Sequence, residues 1–260
     1  MFKIIKYSFK DMIRSRWSFV YLAFYFVLGM ILLFLNNDLN KAIVTLMNVT
    51  ITLTPLIGTL FGVMYFYSSR EFTDLLLAQP INRTSIFVGQ YAGISASLSM
   101  SLVLGLGIPF VIYGLFMSSQ IFNFLLLLVT GVALTLIFVA LAIMICLAQP
   151  NKIKGFGYAI LTWLFFTVIY DGLILLVLMV FEDYPLDKVS LAMSLFNPVD
   201  LSRILILLKL DISALLGYTG AVFQNFFGTG QGILVSLSLM LIWIVVPVWG
   251  IKRISSKRDF

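Results

Sequence analysis

Six long apolar stretches constrain this 260-residue chain more than any other feature of its sequence. Each comes close to or exceeds the roughly 20 helical residues that cross the apolar core of a bilayer, about 30 Å thick. Only one of them contains a formally charged residue, Asp171. The whole chain is 61% hydrophobic and 11% charged, against roughly half and a quarter in soluble domains. The sequence therefore predicts an all-α membrane protein, a single domain over 1–260, with spans at about 17–35, 42–67, 85–115, 121–147, 156–180 and 232–248.

Lysine and arginine are distributed unequally between the two sides of these spans. Cytoplasmic segments of membrane proteins carry the excess of basic residues. We therefore expect a multi-pass protein of the bacterial inner membrane, with both termini and the 68–84 and 148–155 links in the cytoplasm and the 181–231 section outside. The expected cytoplasmic side has Lys3, Lys6, Lys10, Arg14, Arg16, Arg70, Arg83, Lys152, Lys154, Lys252, Arg253, Lys257 and Arg258, and the other side has Lys41, Lys188, Arg203 and Lys209.

The N-terminal segment 2–16 predicts an amphipathic helix on the cytoplasmic membrane surface. At helical spacing its apolar residues share one face, and its lysines lie largely elsewhere. An ordinary basic flank of the first span is the alternative. The residues of the apolar face are Phe2, Ile5, Phe9, Met12 and Ile13.

The section between the fifth and sixth spans predicts short helices outside the cytoplasm. Asn197 precedes Pro198, and Asp200 falls in the following turn, which is a typical helix start. This helix would run to about residue 210. The apolar stretch 212–227 is assigned to the outer leaflet, because a seventh crossing would move the basic C-terminal tail outside.

The link after the second span predicts a short helix outside the membrane. Its acidic residues are followed by three leucines and then by a proline, which stops a helix. The leucines need a partner, either a soluble protein docked on the cytoplasmic face or the bilayer surface. Glu71 and Leu76 are the two residues whose substitution we expect to test docking at this helix. The predicted docking residues are Arg70, Glu71, Asp74, Leu75, Leu76, Leu77, Gln79 and Pro80.

This link, REFTDLLLAQPINRTSIFVGQYAG at 70–93, resembles the coupling helix of ABC-2 type permeases. That resemblance implies a separate ABC ATPase subunit seated on the link, with ATP and Mg bound there and no cofactor bound by this chain. The absence of a GxxxxGK[ST] loop agrees with this division. Residues 163–176 and 196–211 further resemble permeases that serve copper-site maturation of nitrous oxide reductase. This narrower likeness implies a homodimer and a periplasmic partner protein.

Little chemistry is available to the chain itself. It has no histidine and a single cysteine, Cys146, which excludes disulfides within one chain and predicts no metal site and no catalytic residues. Its eleven methionines are dispersed, which favours apolar packing over a copper path. The basic residues border the spans and form no patch, so the expected partner is membrane lipid and not nucleic acid.

Two further features concern the membrane interior. A buried carboxylate at Asp171 costs about 2.5–3.5 kcal/mol on insertion scales, so it should face protein or water. It marks a dimer interface or cargo path, or else it makes a helix-packing hydrogen bond, to the hydroxyl of Thr167 one turn earlier or to a neighbouring helix. Glycine pairs four residues apart permit close helix contact, within one subunit or across a dimer. These pairs are Gly58 with Gly62 and Gly89 with Gly93.

Other classes of membrane protein fit the sequence less well. A secondary transporter usually shows inverted repeats and broken helices around midplane polar groups, and one aspartate without an evident repeat does not match that pattern. An ABC-2 exporter of another substrate, or a membrane anchor for extracytoplasmic assembly, stays open. A membrane enzyme lacks residues to assign.

Overall fold

The computed structural model of the chain describes residues 1–36, 39–118, 120–181, 187–209 and 230–257. Within these ranges regular structure is entirely helical, which confirms the predicted all-α class. A 3-10 turn at Leu115–Met117 follows α5, and a π-helical segment at Phe165–Ile169 joins α7 to α8. The helices are α1 (Phe2–Arg14), α2 (Arg16–Asn36), α3 (Leu39–Ser68), α4 (Arg70–Leu77), α5 (Arg83–Ile112), α6 (Ile121–Ala148), α7 (Lys152–Leu164), α8 (Tyr170–Val180), α9 (Asp187–Leu195), α10 (Pro198–Lys209) and α11 (Gly230–Lys257).

Six helices of the described ranges are long and apolar enough to cross a membrane, which confirms the predicted number of spans. They are α2, α3, α5, α6, the continuous α7–α8 helix and α11. The last span continues well past its predicted end at 248, because its final turns pack inward through Ile251 and Ser255. The fifth begins at Lys152 and not at 156. Asn151 caps this helix, since its Oδ1 accepts a 2.9 Å hydrogen bond from the backbone N of Ile153.

The centre of the bundle is α6, which packs against α3, α5 and α11. Its closest approach to α3 depends on glycine. A Cβ on Gly62 would lie 2.9 Å from Cβ of Ala142, and one on Gly58 would lie 3.5 Å from Cγ2 of Val139. The first glycine pair therefore serves packing within one subunit, which the sequence left open.

The N-terminal helix α1 packs against α5. Its buried residues are Ile4, Ser8 and Met12, so of the predicted apolar face only Met12 is fully buried against the bundle, and Phe2 is 78% exposed. The reason lies in α5, where Gly89 and Gly93 lack the Cβ atoms that would keep Ile4 and Ser8 at a distance. Close backbone contact, and not hydrophobicity alone, sets the rotation of α1.

One end of the bundle brings together the N-terminal helix α1, the last described turns of α11 and two links. The ring of Tyr7 in α1 stacks on Phe72 in α4 with centroids 4.4 Å apart. Tyr67 at the end of α3 donates a 2.7 Å hydrogen bond to the carbonyl of Gln149 after α6, and Ser255 of α11 contacts Thr84. We call this end the linker face. The compartment that it faces stays a prediction.

The opposite end carries α9 and α10. The helix α10 packs against α3, α6 and α11, with Leu201, Leu205 and Ile206 fully buried. It is therefore part of the bundle and does not merely rest on its surface. The stretch 212–227, assigned from the sequence to the outer leaflet, lies outside the described residues.

Candidate functional site

The helix α4 stands at the linker face and is fixed by three contacts. Only Ser69 separates it from the end of α3. Thr73 is buried, accepts a 2.8 Å hydrogen bond from Nε2 of Gln90 in α5 and donates one of 2.9 Å to the carbonyl of Ser69. Phe72 stacks on Tyr7 of α1. These bonds join α4 to α1, α3 and α5.

The outward surface of α4 is acidic with one exposed leucine. Glu71 and Asp74 are exposed, and Leu75 is 67% exposed. The prediction that all three leucines need an external partner is wrong for Leu77, which packs against the core of the bundle. Leu76 is half-buried. The helix ends at Leu77, and Pro80 follows it after a short turn. Gln79 and Pro80 in this turn are exposed, and so is Arg70 at the start of the helix.

A cleft of about 580 Å³ opens beside α4 at the linker face. It is bounded by the ends of α3 and α6 as well as by α4 itself. Nη1 of Arg70 lies 3.5 Å from the carbonyl of Pro150 across it. The backbone of Gly155 abuts the ring of Tyr67, where a Cβ would overlap the hydroxyl group. The 148–155 link is therefore held against the end of α3, beside the surface that α4 presents.

A charged cluster lies near the other end of the bundle, where α8 meets α10. Nη1 of Arg203 is 3.0 Å from Oδ2 of Asp171 and 3.3 Å from Oδ1 of Asp200. The side chains of Arg203 and Asp171 are 36% and 31% exposed, whereas Asp200 is buried at 8%. Of the two packing hydrogen bonds expected for Asp171, the one to a neighbouring helix is made, with Arg203 of α10. The one to Thr167 is not, because the Thr167 hydroxyl donates to the carbonyl of Trp163. A full positive charge two helices away is the better partner for a carboxylate.

Burial raises the pKa of the Asp200 carboxyl above its ordinary value. The Asp171 carboxylate adds to the rise, and Arg203 and the amide of Asn197 oppose it. One arginine thus serves two carboxylates that repel each other. The charge of Arg203 therefore stabilises the ionised form of both carboxyl groups.

Asn197 joins the start of α10 to the π-helical segment. Its Oδ1 accepts a 3.0 Å bond from the backbone N of Val199, as a helix cap does. Its Nδ2 donates to the carbonyl of Phe166 at 2.9 Å and to Oδ2 of Asp200 at 3.0 Å. A π-turn leaves backbone groups without the usual i to i−4 partners, and Asn197 satisfies one of them. The helix start at Asn197, Pro198 and Asp200 is therefore built into the charged cluster.

Removing the shared cation should destabilise the bundle. Arg203→Ala leaves two neighbouring carboxylates without their positive partner. Breaking a buried pair costs about 3–5 kcal/mol and a surface pair about 0–1 kcal/mol, so a partly exposed cluster should lose about 2 kcal/mol. The measurement is the Tm of the detergent-solubilised protein.

Arg253→Ala is the matched control for that loss. Its guanidinium lies 5.2 Å from the ring centroid of Trp249, a contact that contributes about 0.5–1 kcal/mol at an exposed position. The Tm of Arg203→Lys should lie between those of Arg203→Ala and Arg253→Ala. A lysine ammonium keeps the positive charge but does not reproduce the planar fork that reaches both carboxylates. Equal Tm values for Arg203→Ala and Arg253→Ala would contradict a stabilising cluster.

Several residues of these two sites gave no signal in the sequence. Gln90 and Thr73 are ordinary polar residues separated by a turn and a helix start, and only the fold brings them together. Arg203 counted among the basic residues of the outer side, yet it pairs with Asp171 from a distance of 32 residues. A charge inside a span does predict a partner of opposite charge, but it does not identify which one.

The fold and the two sites define a multi-pass α-helical membrane protein with a short helix, α4, held at the linker face by contacts with α1, α3 and α5. Over 270 residues the chain is 23% identical to the probable ABC transporter permease protein NosY of Stutzerimonas stutzeri. The match covers 96% of this chain and 93% of that protein. No protein-family model matches the chain. This likeness over nearly the whole length supports an ABC transporter permease, a membrane subunit of the kind that works with an ATPase.

Proposed function

We propose that the chain is the permease subunit of an ABC-2 type transporter. Two copies would form a homodimer in the bacterial inner membrane, with the linker face in the cytoplasm and an ABC ATPase subunit on each copy. The ATPase subunits would bind ATP and Mg. The excess of basic residues at the linker face supports this orientation.

The observation that carries the proposal is the construction of α4. Its inward side is fixed by the Thr73–Gln90 hydrogen bond and by the Tyr7–Phe72 stack. Its outward side presents Glu71, Asp74 and the largely exposed Leu75. A short helix fixed on one side and exposed on the other suits a docking element, because a central apolar anchor with charges around it is a common arrangement of protein interfaces.

The connections of α4 determine which spans a displacement of this helix would move. Because only Ser69 joins α4 to α3, a displacement of α4 acts directly on that span. The Gln90 amide carries the same displacement to α5, and the Tyr67–Gln149 bond connects α3 with the end of α6. ATP-driven movement of a docked subunit would therefore reach three spans at once.

We also propose a particular role for the chain. It is the role of the copper-site permeases, which segments 163–176 and 196–211 of this chain resemble. The chain would serve assembly of the copper site of nitrous oxide reductase, by transport or by acting on a periplasmic partner protein. The full-length similarity to the NosY protein of S. stutzeri supports this choice over other ABC-2 exporters. The end of the bundle that carries α9 and α10 would then face the periplasm.

Purification of the tagged chain from native membranes in mild detergent tests the proposal. Mass spectrometry of the purified sample should identify a stoichiometric P-loop ATPase, and the sample should hydrolyse ATP. A periplasmic protein in the same sample would support the copper-site role. A chain that purifies alone without ATPase activity would contradict the permease assignment and favour an anchor or a secondary transporter that uses Asp171.

A further inference from the structure

The exposed residues of α3 differ from those of the other spans. In the described part of this helix every exposed residue is polar, although the helix is long and apolar enough to cross a membrane. Four of them follow each other at intervals of four, three and four residues, so they share one helix face. We call this face the polar stripe. Its residues are Lys41, Thr45, Asn48 and Thr52.

Most of the polar stripe lies at membrane depth. A helix of 30 residues is about 45 Å long, roughly 15 Å longer than the apolar core of a bilayer. With the core centred on α3, about five residues at each end lie outside it. Thr45, Asn48 and Thr52 then fall in the half of the core nearer to α10. By contrast, α2 exposes apolar side chains at the same depth, Val27 and Ile31 among them.

Lipid is a poor environment for this stripe. The hydroxyls of Thr45 and Thr52 donate to the carbonyls one turn earlier, both at 3.0 Å, so these two residues cost little. The Asn48 amide has four hydrogen-bonding positions. Among the described residues it makes one long bond, 3.4 Å, to the carbonyl of Val44. An amide left in this state in hydrocarbon costs free energy, whereas water would satisfy it.

The charged cluster lies at the same level of the bundle as the polar stripe. Nε1 of Trp163 in α7 donates to the carbonyl of Thr52 at 3.2 Å, which places the fifth span next to α3. Asp171 is eight residues further on, about 12 Å along the helix. Because the two helices run in opposite directions, that is the level of Thr45. The side chains of Asp171 and Arg203 are each about one-third exposed, whereas the Oδ1 atom of Asp171 is itself buried and has no hydrogen-bond partner among the described residues.

We infer that the polar stripe, with Asp171 and Arg203, forms one wall of a water-filled path for a small polar solute. Such a path explains why the Asn48 amide and the charged groups of Asp171 and Arg203 are exposed at membrane depth. It also explains why α3 exposes polar residues there on one face only. In the wall at membrane depth, the positive charge of Arg203 is balanced by the negative charge of Asp171. The wall therefore favours hydrogen-bonding solutes of low net charge over lipid or apolar peptide. The identity of the path as a transport route rests on the proposed permease function.

Thiol labelling in native membranes tests the wall. The chain has one cysteine, so Cys146→Ala provides a background without thiols. Thr45→Cys and Asn48→Cys are then compared with Ile31→Cys and Val27→Cys, which lie at matching distances from the same end of their spans. The probe is a charged, membrane-impermeant methanethiosulfonate, which reacts with hydrated thiols. Unreacted thiols are counted afterwards with a maleimide dye in denaturant.

The stripe thiols should react at least tenfold faster than the α2 thiols. Equal slow rates would overturn the inference, whether the stripe faces lipid or a dry interface with a second copy. ATPase co-purification, measured on the same preparations, separates this result from the permease assignment. Bound ATPase with slow labelling would refute the wall alone. Fast labelling without any ATPase would retain the hydrated wall and refute the permease.

Discussion

The double variant Glu71→Lys with Leu75→Asp is expected to lose its ATPase subunit while the protein still inserts and folds. Leu75 is the exposed apolar residue of α4, and truncating a central interface anchor typically costs about 2 kcal/mol or more, roughly a 30-fold weaker Kd. Glu71→Lys adds a charge reversal beside it. Neither residue contributes to the contacts that hold α4 in place. The measurement is the ATPase-to-permease ratio after affinity purification, together with ATP hydrolysis.

Phe116→Asp is the control for this variant. Like Leu75, Phe116 is an apolar residue outside the spans, and it is 70% exposed. It lies in the 3-10 turn that follows α5, at the end opposite the linker face. The same charge there should leave ATPase binding unchanged. Full ATPase binding by the double variant would show that the partner uses another surface. Loss of binding by both variants would show only that the bundle tolerates charge poorly.

The choice of leucine in this experiment shows where sequence reasoning ends. Helical spacing identifies an amphipathic helix at α4 and places its three leucines close together, and on that basis Leu76 is the natural choice. The orientation of α4 depends on Thr73 and Phe72, which bond to Gln90 and Tyr7 in other helices. Those contacts turn Leu75 outward and Leu77 inward. Local pattern therefore predicts the helix, and long-range contacts decide which face is free.

The spans were predictable for a similar reason. A bilayer imposes a minimum apolar length on every crossing, so the number of spans follows from one-dimensional information. The partner of Asp171 does not, because Arg203 reaches it from α10, which the sequence predicts only as a short helix. The cost of an isolated carboxylate at membrane depth predicts that a partner exists. The fold supplies the partner by burying Leu201, Leu205 and Ile206 of α10 in the bundle.

The remaining strong prediction concerns the contact of α1 with α5, where Gly93→Leu should prevent assembly of the bundle. A Cβ at Gly93 would lie 2.6 Å from Cβ of Ser8, 2.8 Å from the carbonyl oxygen of Ile5 and 2.9 Å from the backbone N of Phe9. Two of these three atoms belong to the backbone, so no change of rotamer relieves the overlap. We expect a loss of about 3 kcal/mol, the upper end of overpacking costs, seen as low yield of monodisperse protein.

Gly107→Leu is the matched control, because it makes the same substitution in the same helix. A Cβ at Gly107 meets nothing within 4 Å, and leucine favours a helix over glycine by about 0.8 kcal/mol. This variant should therefore assemble normally. The comparison also reaches the linker face, since displacing α1 carries Tyr7 away from Phe72 and removes one of the contacts that fix α4. Any Gly93→Leu protein that is recovered should bind its ATPase weakly. Normal yield and normal ATPase binding for Gly93→Leu would mean that α1 does not lie in the groove formed by Gly89 and Gly93.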